Sequence, residues 1–99
     1  MSLTIEKKNA ETPTLLLTGR LDTVTAPELE KEVGTIIDTV SSLVIDMSGL
    51  EYVSSAGLRV LLKTHKALAA KDGLKIINAS EDIKEVFDIT GFSDFLVIE

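Results

Sequence analysis

Short apolar runs alternate with amphipathic helical patterns from residue 25 onward, and this alternation constrains the fold more strongly than any other feature of the sequence. The spacing predicts helices over residues 25–40, 55–70 and 80–90, and strands over residues 43–45, 74–77 and 95–98. Consecutive strands of one sheet that are joined by a helix need a right-handed crossover, which makes them parallel. The pattern therefore predicts an α/β fold with helices packed against a mostly parallel sheet.

Two further strands precede the first helix, at residues 3–8 and 14–18. The composition of residues 9–13 between them suits a hairpin connection. The predicted order is therefore β-β-α-β-α-β-α-β, in a small mixed, mostly parallel β-sheet. A length of 99 residues fits one domain, residues 1–99, with one core.

The helix boundaries are predicted from local signals. Thr25, with Pro27 in the first turn and Glu28 three places on, matches a capping box. Gly34, inside the first helix, should cost about 1 kcal/mol relative to alanine. Ser80 is the predicted cap of the third helix and Gly91 its stop. The predicted apolar stripes of the three helices are Leu29, Val33, Ile36, Ile37 and Val40; then Leu58, Leu61, Leu62, His65 and Ala69; then Ile83, Val86, Phe87 and Thr90.

The strand at residues 43–45 is apolar without interruption, so we expect it to be buried on both faces of the sheet. Residues 46–53 are predicted to form the loop that leads from this strand into the second helix. Gly73 marks the predicted end of that helix region. This arrangement places the start of the second helix just beyond the carboxyl end of a central strand, where open α/β sheets keep their functional crevices.

Composition narrows the function. Sixteen acidic against ten basic residues give a net charge of -6, which repels nucleic-acid phosphates and disfavours a nucleic-acid partner. The absence of cysteine excludes disulfides and thiolate metal sites and fits a reducing cytoplasm. No apolar run is long enough to insert into a membrane, so we expect a soluble protein. Phosphate-loop and dinucleotide motifs are absent, and we expect no cofactor.

The sequence also lacks an arrangement of side chains that is suited to catalysis. His65, the one histidine, lies ten residues after Ser55 in the same predicted helix, about 15 Å away, so the two cannot share a proton. The carboxylates Asp22, Asp46 and Glu51 are not accompanied by histidine or cysteine residues that could complete a ligand set, so no metal site is predicted. The sequence therefore predicts a protein that is not an enzyme.

The segment Val53–Arg59 contains the candidate site. A phosphate on Ser55 would meet unpaired backbone amides and the positive end of the helix dipole, where its charge is tolerated. Serine is also an ordinary helix cap, and Ser54 can fill that role with no function implied; the residues alone favour this interpretation. Gly57 in the first turn suggests a close backbone approach, which packing inside the fold explains equally well.

Four segments resemble the anti-sigma factor antagonist branch of the STAS domain family, named for sulfate transporters and anti-sigma factor antagonists. They are Leu17–Asp22, Leu43–Gly49, Ser54–Leu58 and Val86–Phe92. The resemblance implies that a partner anti-sigma factor with ATP-dependent serine kinase activity phosphorylates Ser55 and that a serine phosphatase reverses it. The unphosphorylated form would bind the anti-sigma factor. The implied partner-binding residues are Asp22, Thr23, Ser54, Ala56, Gly57, Leu58 and Arg59.

The sequence departs from this family at one position, since Ser54 stands where well-known members often have aspartate. Many members of the family also have a helix after the last strand. If that helix is missing, one face or edge of the sheet is left bare, and we expect a homodimer or a partner to cover it. Two alternatives remain open from the sequence. One is a docking subunit of a transporter or signalling complex without phosphorylation. The other is a module that binds a small anionic ligand or a nucleotide.

Overall fold

The structure, a computed structural model, describes residues 2–8 and 12–99 and contains five strands and three α-helices. The predicted order of elements is confirmed. The turn predicted at residues 9–13 lies largely outside the described residues. The elements are β1 (Leu3–Lys8), β2 (Thr14–Leu21), α1 (Ala26–Ile36), β3 (Ser42–Val53), α2 (Ser55–Leu68), β4 (Gly73–Ile77), α3 (Glu81–Thr90), a 3₁₀ helix (Phe92–Asp94) and β5 (Val97–Ile98).

The strands lie in the sheet in the order in which they occur in the chain, from β1 to β5. Among the strands that the structure describes, β1–β2 is antiparallel, and β2–β3, β3–β4 and β4–β5 are parallel. The sheet is therefore mixed and mostly parallel, as the alternation of strands and helices predicts. The neighbouring strands β2 and β3 run in the same direction, so their carboxyl ends lie at the same edge of the sheet.

The sheet is buried on one face. Leu43, Ile45 and Met47 of β3 are fully buried, whereas Val44 and Asp46, which point to the other face, are only half-buried. The buried side chains of all three helices join one cluster with the inward-facing residues of the sheet. The prediction that residues 43–45 are buried on both faces was therefore wrong, because the helices cover a single face.

Strand β3 is much longer than predicted, since residues 46–53 continue it instead of forming a loop. This segment pairs with the second half of β2 through two shifts in register. Each shift inserts an extra residue and resets which side chains point inward. Leu50 is therefore buried although it does not continue the alternation of Leu43 and Ile45, and Val53 is buried because the second shift restores that alternation. This broken alternation is why the sequence pattern resembles a loop.

The helices confirm the prediction in part. Helix α1 ends at Ile36, so Val40 lies beyond it. In α2, Leu62 and His65 are half-buried and Ala69 is exposed just after the helix. The buried face of α2 is rotated toward α1 and the sheet, and it includes Val60, Thr64 and Leu68 in addition to Gly57, Leu58 and Leu61.

Helix α3 begins and ends as predicted. The Ser80 side chain accepts a hydrogen bond from the Ile83 backbone N–H, and Gly91 stops the helix in a left-handed conformation with φ 83°. Thr90 is exposed rather than part of the apolar stripe. The chain then forms the 3₁₀ helix, which delays the start of β5 to Val97 from the predicted residue 95. Among the helices of the described residues, none combines the length and the apolar character that crossing a membrane needs.

Gly34 provides a test of the packing of α1. A Cβ atom at this position has no heavy atom within 4 Å, apart from its chain neighbours and the backbone of its own helix. We expect Gly34→Ala to raise the free energy of unfolding by about 0.5–1 kcal/mol, because alanine loses less backbone entropy on folding. Urea denaturation of the variant and the parent protein checks this, and a loss of stability would contradict the open packing described.

Candidate functional site

The junction between β3 and α2 is fixed by Ser54. Its backbone N–H donates to the Leu21 carbonyl oxygen at 2.8 Å, which ties the end of β3 to the end of β2. Its side-chain oxygen accepts from the Gly57 backbone N–H at 3.3 Å, and its backbone is extended, as an N-cap requires. Ser54 is therefore the cap that starts α2.

Ser55 has a different environment from its neighbour. It is the first residue of α2 and is exposed to solvent. Within residues 2–8 and 12–99, the Ser55 hydroxyl takes part in no side-chain hydrogen bond. The two serines thus have separate roles, because one satisfies the helix end and the other presents a hydroxyl to the outside.

Gly57 allows the first turn of α2 to lie close to the sheet. A Cβ atom on Gly57 would lie 2.7 Å from Leu21 Cγ and 3.1 Å from Val53 Cγ2. Both of those side chains are buried, so neither can move away into solvent. Gly57 therefore allows the first turn of α2 to rest on the ends of β2 and β3, which holds Ser55 at a fixed position.

The residues around Ser55 that the sequence singled out divide into buried and exposed ones. Gly57 and Leu58 are buried and pack toward the core, and Ala56 is half-buried. Arg59 is exposed, one turn after Ser55 on the same helix. Direct contact with another molecule is thus available to Ser55 and Arg59, whereas Gly57 and Leu58 support them from within.

The loop between β2 and α1 is held by Asp22 and Thr25. The Asp22 Oδ1 atom accepts from the backbone N–H groups of Val24 and Thr25, each at 3.0 Å. The Thr25 hydroxyl donates to the Arg20 carbonyl at 2.7 Å and accepts from the Asp22 backbone N–H at 2.8 Å. The predicted capping box at Thr25 is therefore wrong: the hydroxyl closes the loop and makes no capping bond to the helix.

Asp22 is ionised at neutral pH, and its environment strengthens that state. The hydrogen bond from the Thr25 backbone N–H holds the pKa of the Asp22 carboxyl below its ordinary value, against a smaller opposing effect of desolvation. The Arg20 guanidinium, with Nε 3.8 Å from Asp22 Oδ2, contributes in the same direction. The carboxylate is thus a structural acceptor that shapes the loop beside α2.

Three exposed or half-buried side chains near this loop were not singled out from the sequence. Val24 is 78% exposed at the tip of the loop, and Tyr52 is 42% exposed near the end of β3. The Arg20 guanidinium lies 4.3 Å from the centroid of the Tyr52 ring, which stacks the two side chains. The sequence did contain a signal for Val24, because it is an apolar residue in the otherwise polar turn Asp22–Thr25. The Arg20–Tyr52 contact could not be predicted, because it depends on the shifted register of β2 and β3.

The one histidine of the sequence lies apart from Ser55. The His65 ring packs against Phe95, with the ring centroids 4.9 Å apart, in the C-terminal half of α2. In the part of the chain that the structure describes, no three or more histidine, aspartate or glutamate side chains are grouped so that they could hold a metal ion. The chemistry available at the site is therefore that of an exposed hydroxyl beside an arginine and an ordered loop.

Comparisons with known proteins point to one family. The family model described as the STAS domain matches residues 4–99. The anti-sigma-B factor antagonist of Bacillus subtilis is 31% identical over 93 residues, which cover 93% of this chain and 85% of that protein.

Solved structures agree with the sequence comparison. An anti-sigma factor antagonist from Mycobacterium paratuberculosis superimposes with a TM-score of 0.89 at 26% identity, over 97% of this chain and 84% of that chain. The anti-sigma factor antagonist SpoIIAA of Bacillus, in its unphosphorylated form, gives 0.79 at 22% identity, over 98% and 87% of the two chains. This second likeness shows a SpoIIAA-like fold.

The tight packing at Gly57 predicts a stability effect opposite to that at Gly34. Gly57→Ala should lower the free energy of unfolding by about 1–3 kcal/mol, because the added methyl group overlaps the buried side chains of Leu21 and Val53. Urea denaturation of Gly57→Ala beside Gly34→Ala measures both effects. A neutral or stabilising Gly57→Ala would show that α2 does not rest closely on the strand ends.

The lowered pKa of Asp22 predicts a dependence of stability on pH. A group whose pKa is lowered by folding stabilises the protein above its ordinary pKa, and this contribution is lost as the pH falls through the folded-state value. The parent protein should therefore lose more stability than Asp22→Ala as the pH falls below about 4. Urea denaturation of both at pH 7 and in acid tests this, and an equal loss in both proteins would contradict it.

Proposed function

Because this chain belongs to the STAS domain family, we propose that it is an anti-sigma factor antagonist that changes partners through phosphorylation of Ser55. In this proposal the unphosphorylated protein binds an anti-sigma factor that is also a serine kinase. Binding releases the sigma factor, phosphorylation of Ser55 ends the contact, and a serine phosphatase restores the starting form. Such a role requires a cytoplasmic location, where ATP and sigma factors are found.

The names of the relatives support the general role. The Bacillus subtilis relative is named an anti-sigma-B factor antagonist, and the Mycobacterium paratuberculosis structure is that of an anti-sigma factor antagonist. Both comparisons extend over more than nine-tenths of this chain, so the likeness includes the start of α2 as well as the core.

The division of roles between Ser54 and Ser55 is the observation that carries the proposal. A kinase needs a hydroxyl that it can reach without unfolding the protein. Ser54 caps α2 and is half-buried, whereas Ser55 is exposed and its hydroxyl has no partner within the described residues. Modification of Ser55 would therefore leave the cap of α2 in place.

A phosphate on Ser55 would act on the partner rather than on the fold. It adds a charge of about -1.5 to -2, which is favourable near the N-terminus of a helix, so α2 should remain intact. The same charge would lie in any interface that covers Ser55. Desolvation and repulsion there would weaken the contact, which gives phosphorylation the effect of a release signal.

The proposed partner-binding residues are Asp22, Thr23, Ser54, Ala56, Gly57, Leu58 and Arg59. Thr23 and Arg59 are exposed and can contact a partner directly. Asp22 and Ser54 order the loop and the helix start through the hydrogen bonds described above. Gly57 and Leu58 are buried, so we assign them the task of holding Ser55 in place.

Phosphorylation by the predicted class of kinase tests the proposal. The protein is incubated with ATP and each anti-sigma factor kinase encoded in its own genome, and intact mass, peptide mapping and partner binding are measured. We expect a gain of one phosphate on Ser55, abolished in Ser55→Ala, and a much weaker contact after modification. Ser55→Ala should still bind the kinase, because it keeps an uncharged helix start.

Ser48→Ala is the matched control, since Ser48 is an exposed serine within β3 rather than in α2 and should not affect modification. Binding without any phosphate gain would contradict the switch and favour a docking subunit. Phosphate on Ser54 instead of Ser55 would contradict the assignment of the site. No binding to any of these kinases would contradict the proposed role as a whole.

A further inference from the structure

We propose that the groove between α1 and α2 receives one α-helix of the anti-sigma factor, and that this helix carries an acidic side chain opposite Arg59. The inference rests on the proposed function, because the partner is the same protein. It goes further by naming a surface, a kind of secondary structure and a charge, and it explains how a phosphate at one end of the groove can release the partner.

Two cavities form one groove. A cavity of about 160 Å³ lies between α1 and α2 and includes Val33, Gly34, Val60 and Thr64 in its lining. A second, of about 340 Å³, continues it toward the start of α2 and reaches Ala56. The two share Glu30, Val60 and Lys63, so they are contiguous. The groove therefore extends along both helices as far as Ala56, the residue after Ser55.

The spacing of the lining residues fits a helix. The α1 side is formed at positions 30, 33, 34 and 37, which recur at intervals of three and four residues along one helical face. On α2 the lining extends from Ala56 to Ala67, eleven residues and about 16 Å of helix. A helical segment of about three turns matches this length. A strand does not fit here, because helical backbone groups are already paired and offer no ladder.

Small residues allow the close approach that helix packing needs. Gly34 leaves open space where a side chain would stand, and Ala56 and Ala67 are the smallest side chains that α2 contributes to the groove. A partner helix can place larger apolar side chains over these positions, as ridges pack into grooves between helices. The buried face of Val33 and Val60 supplies an apolar floor.

The charged side chain of Arg59 at the edge of the groove indicates the charge that the partner helix carries. Arg59 is exposed on the α2 side near the mouth of the groove, and none of the ion pairs within residues 2–8 and 12–99 includes it. It is a cation in a protein of net charge -6. An acidic side chain on the incoming helix complements it, and repulsion by the rest of the surface favours this orientation over others.

One ion pair crosses the groove where the two cavities meet. Lys63 Nζ lies 2.6 Å from Glu30 Oε2, and both side chains are substantially exposed. An exposed pair of this kind contributes about 0–1 kcal/mol, so a partner can separate it at little cost. The Lys63 ammonium would then be available to the same acidic helix.

Ser55 lines neither cavity, but it directly precedes Ala56 and lies four residues before Arg59, both of which line the second cavity. A phosphate there would repel an acidic helix and would compete for Arg59, which lies one turn away on α2. The groove thus gives the proposed switch a physical mechanism: the modified residue is next to the contact that it has to break.

The test measures binding of the same panel of anti-sigma factor kinases by calorimetry, without ATP. Gly34→Phe fills the groove from α1, and Ala67→Phe fills it from α2; each should raise Kd at least about ten-fold. Thr35→Phe, which adds the same ring at an exposed α1 position that lines neither cavity, is the matched control and should bind like the parent. Circular dichroism and thermal melting verify that each variant is folded.

A second pair of variants tests the charge. Arg59→Glu should raise Kd at least about ten-fold, whereas Lys66→Glu changes the net charge equally outside the groove and should raise it less than about three-fold. Parent-like binding by folded Gly34→Phe and Ala67→Phe would overturn the groove and leave the Ser55 switch standing. Equal effects of Arg59→Glu and Lys66→Glu would overturn the acidic contact. No binding by the parent protein would overturn both proposals.

Discussion

The parallel pairing of β2 with β3 is the constraint on which the rest of the structure depends. It brings the ends of two strands to the same side of the sheet, and the hydrogen bond from Ser54 N–H to the Leu21 carbonyl closes the pair at its last residue. The loop to α1 and the start of α2 both leave from this point. Because backbone hydrogen bonds fix their origin, Asp22 and Ser55 hold their relative positions without a hydrogen bond between their side chains.

In this site, the residues that stabilise the local structure are different from those that are exposed to a partner. Ser54 caps α2, Gly57 lets the helix approach the strands, and Asp22 with Thr25 orders the neighbouring loop. These groups use their hydrogen-bonding capacity within the fold. Ser55 and Arg59 are left exposed. A surface organised in this way can change its charge while the scaffold beneath it stays the same, which is what a release signal requires.

Burial on a single face of the sheet has consequences for interactions. All three helices contribute to one core, so α1 and α2 lie next to each other and leave a groove between them. That groove reaches Thr23 in the loop after β2 and Ala56, the residue after Ser55. The position of the hydroxyl and the path of the groove therefore follow from the same chain geometry, and a partner lying along α1 and α2 would need to separate only the exposed Glu30–Lys63 ion pair.

Local patterns in the sequence predicted the order of elements, the mixed and mostly parallel sheet, the Ser80 cap and the Gly91 stop, because each depends on residues close together in the chain. The same patterns failed for the capping box at Thr25 and for residues 46–53. At Thr25 a competing hydrogen bond to Arg20 used the hydroxyl. At residues 46–53 two shifts in register replaced the regular alternation on which strand prediction relies.

The candidate site shows the same division. The sequence by itself determined that two serines open a helix after a central strand, since helix capping is a local property. The Ser54 cap, a bond between residues three apart, was within its reach too. Only the tertiary structure decided that Ser55 is exposed, that Arg20 stacks on Tyr52, that one face of the sheet stays open, and that a groove runs between α1 and α2. These features depend on distances between residues far apart in the chain, and such distances are set by packing and register, which no local pattern encodes.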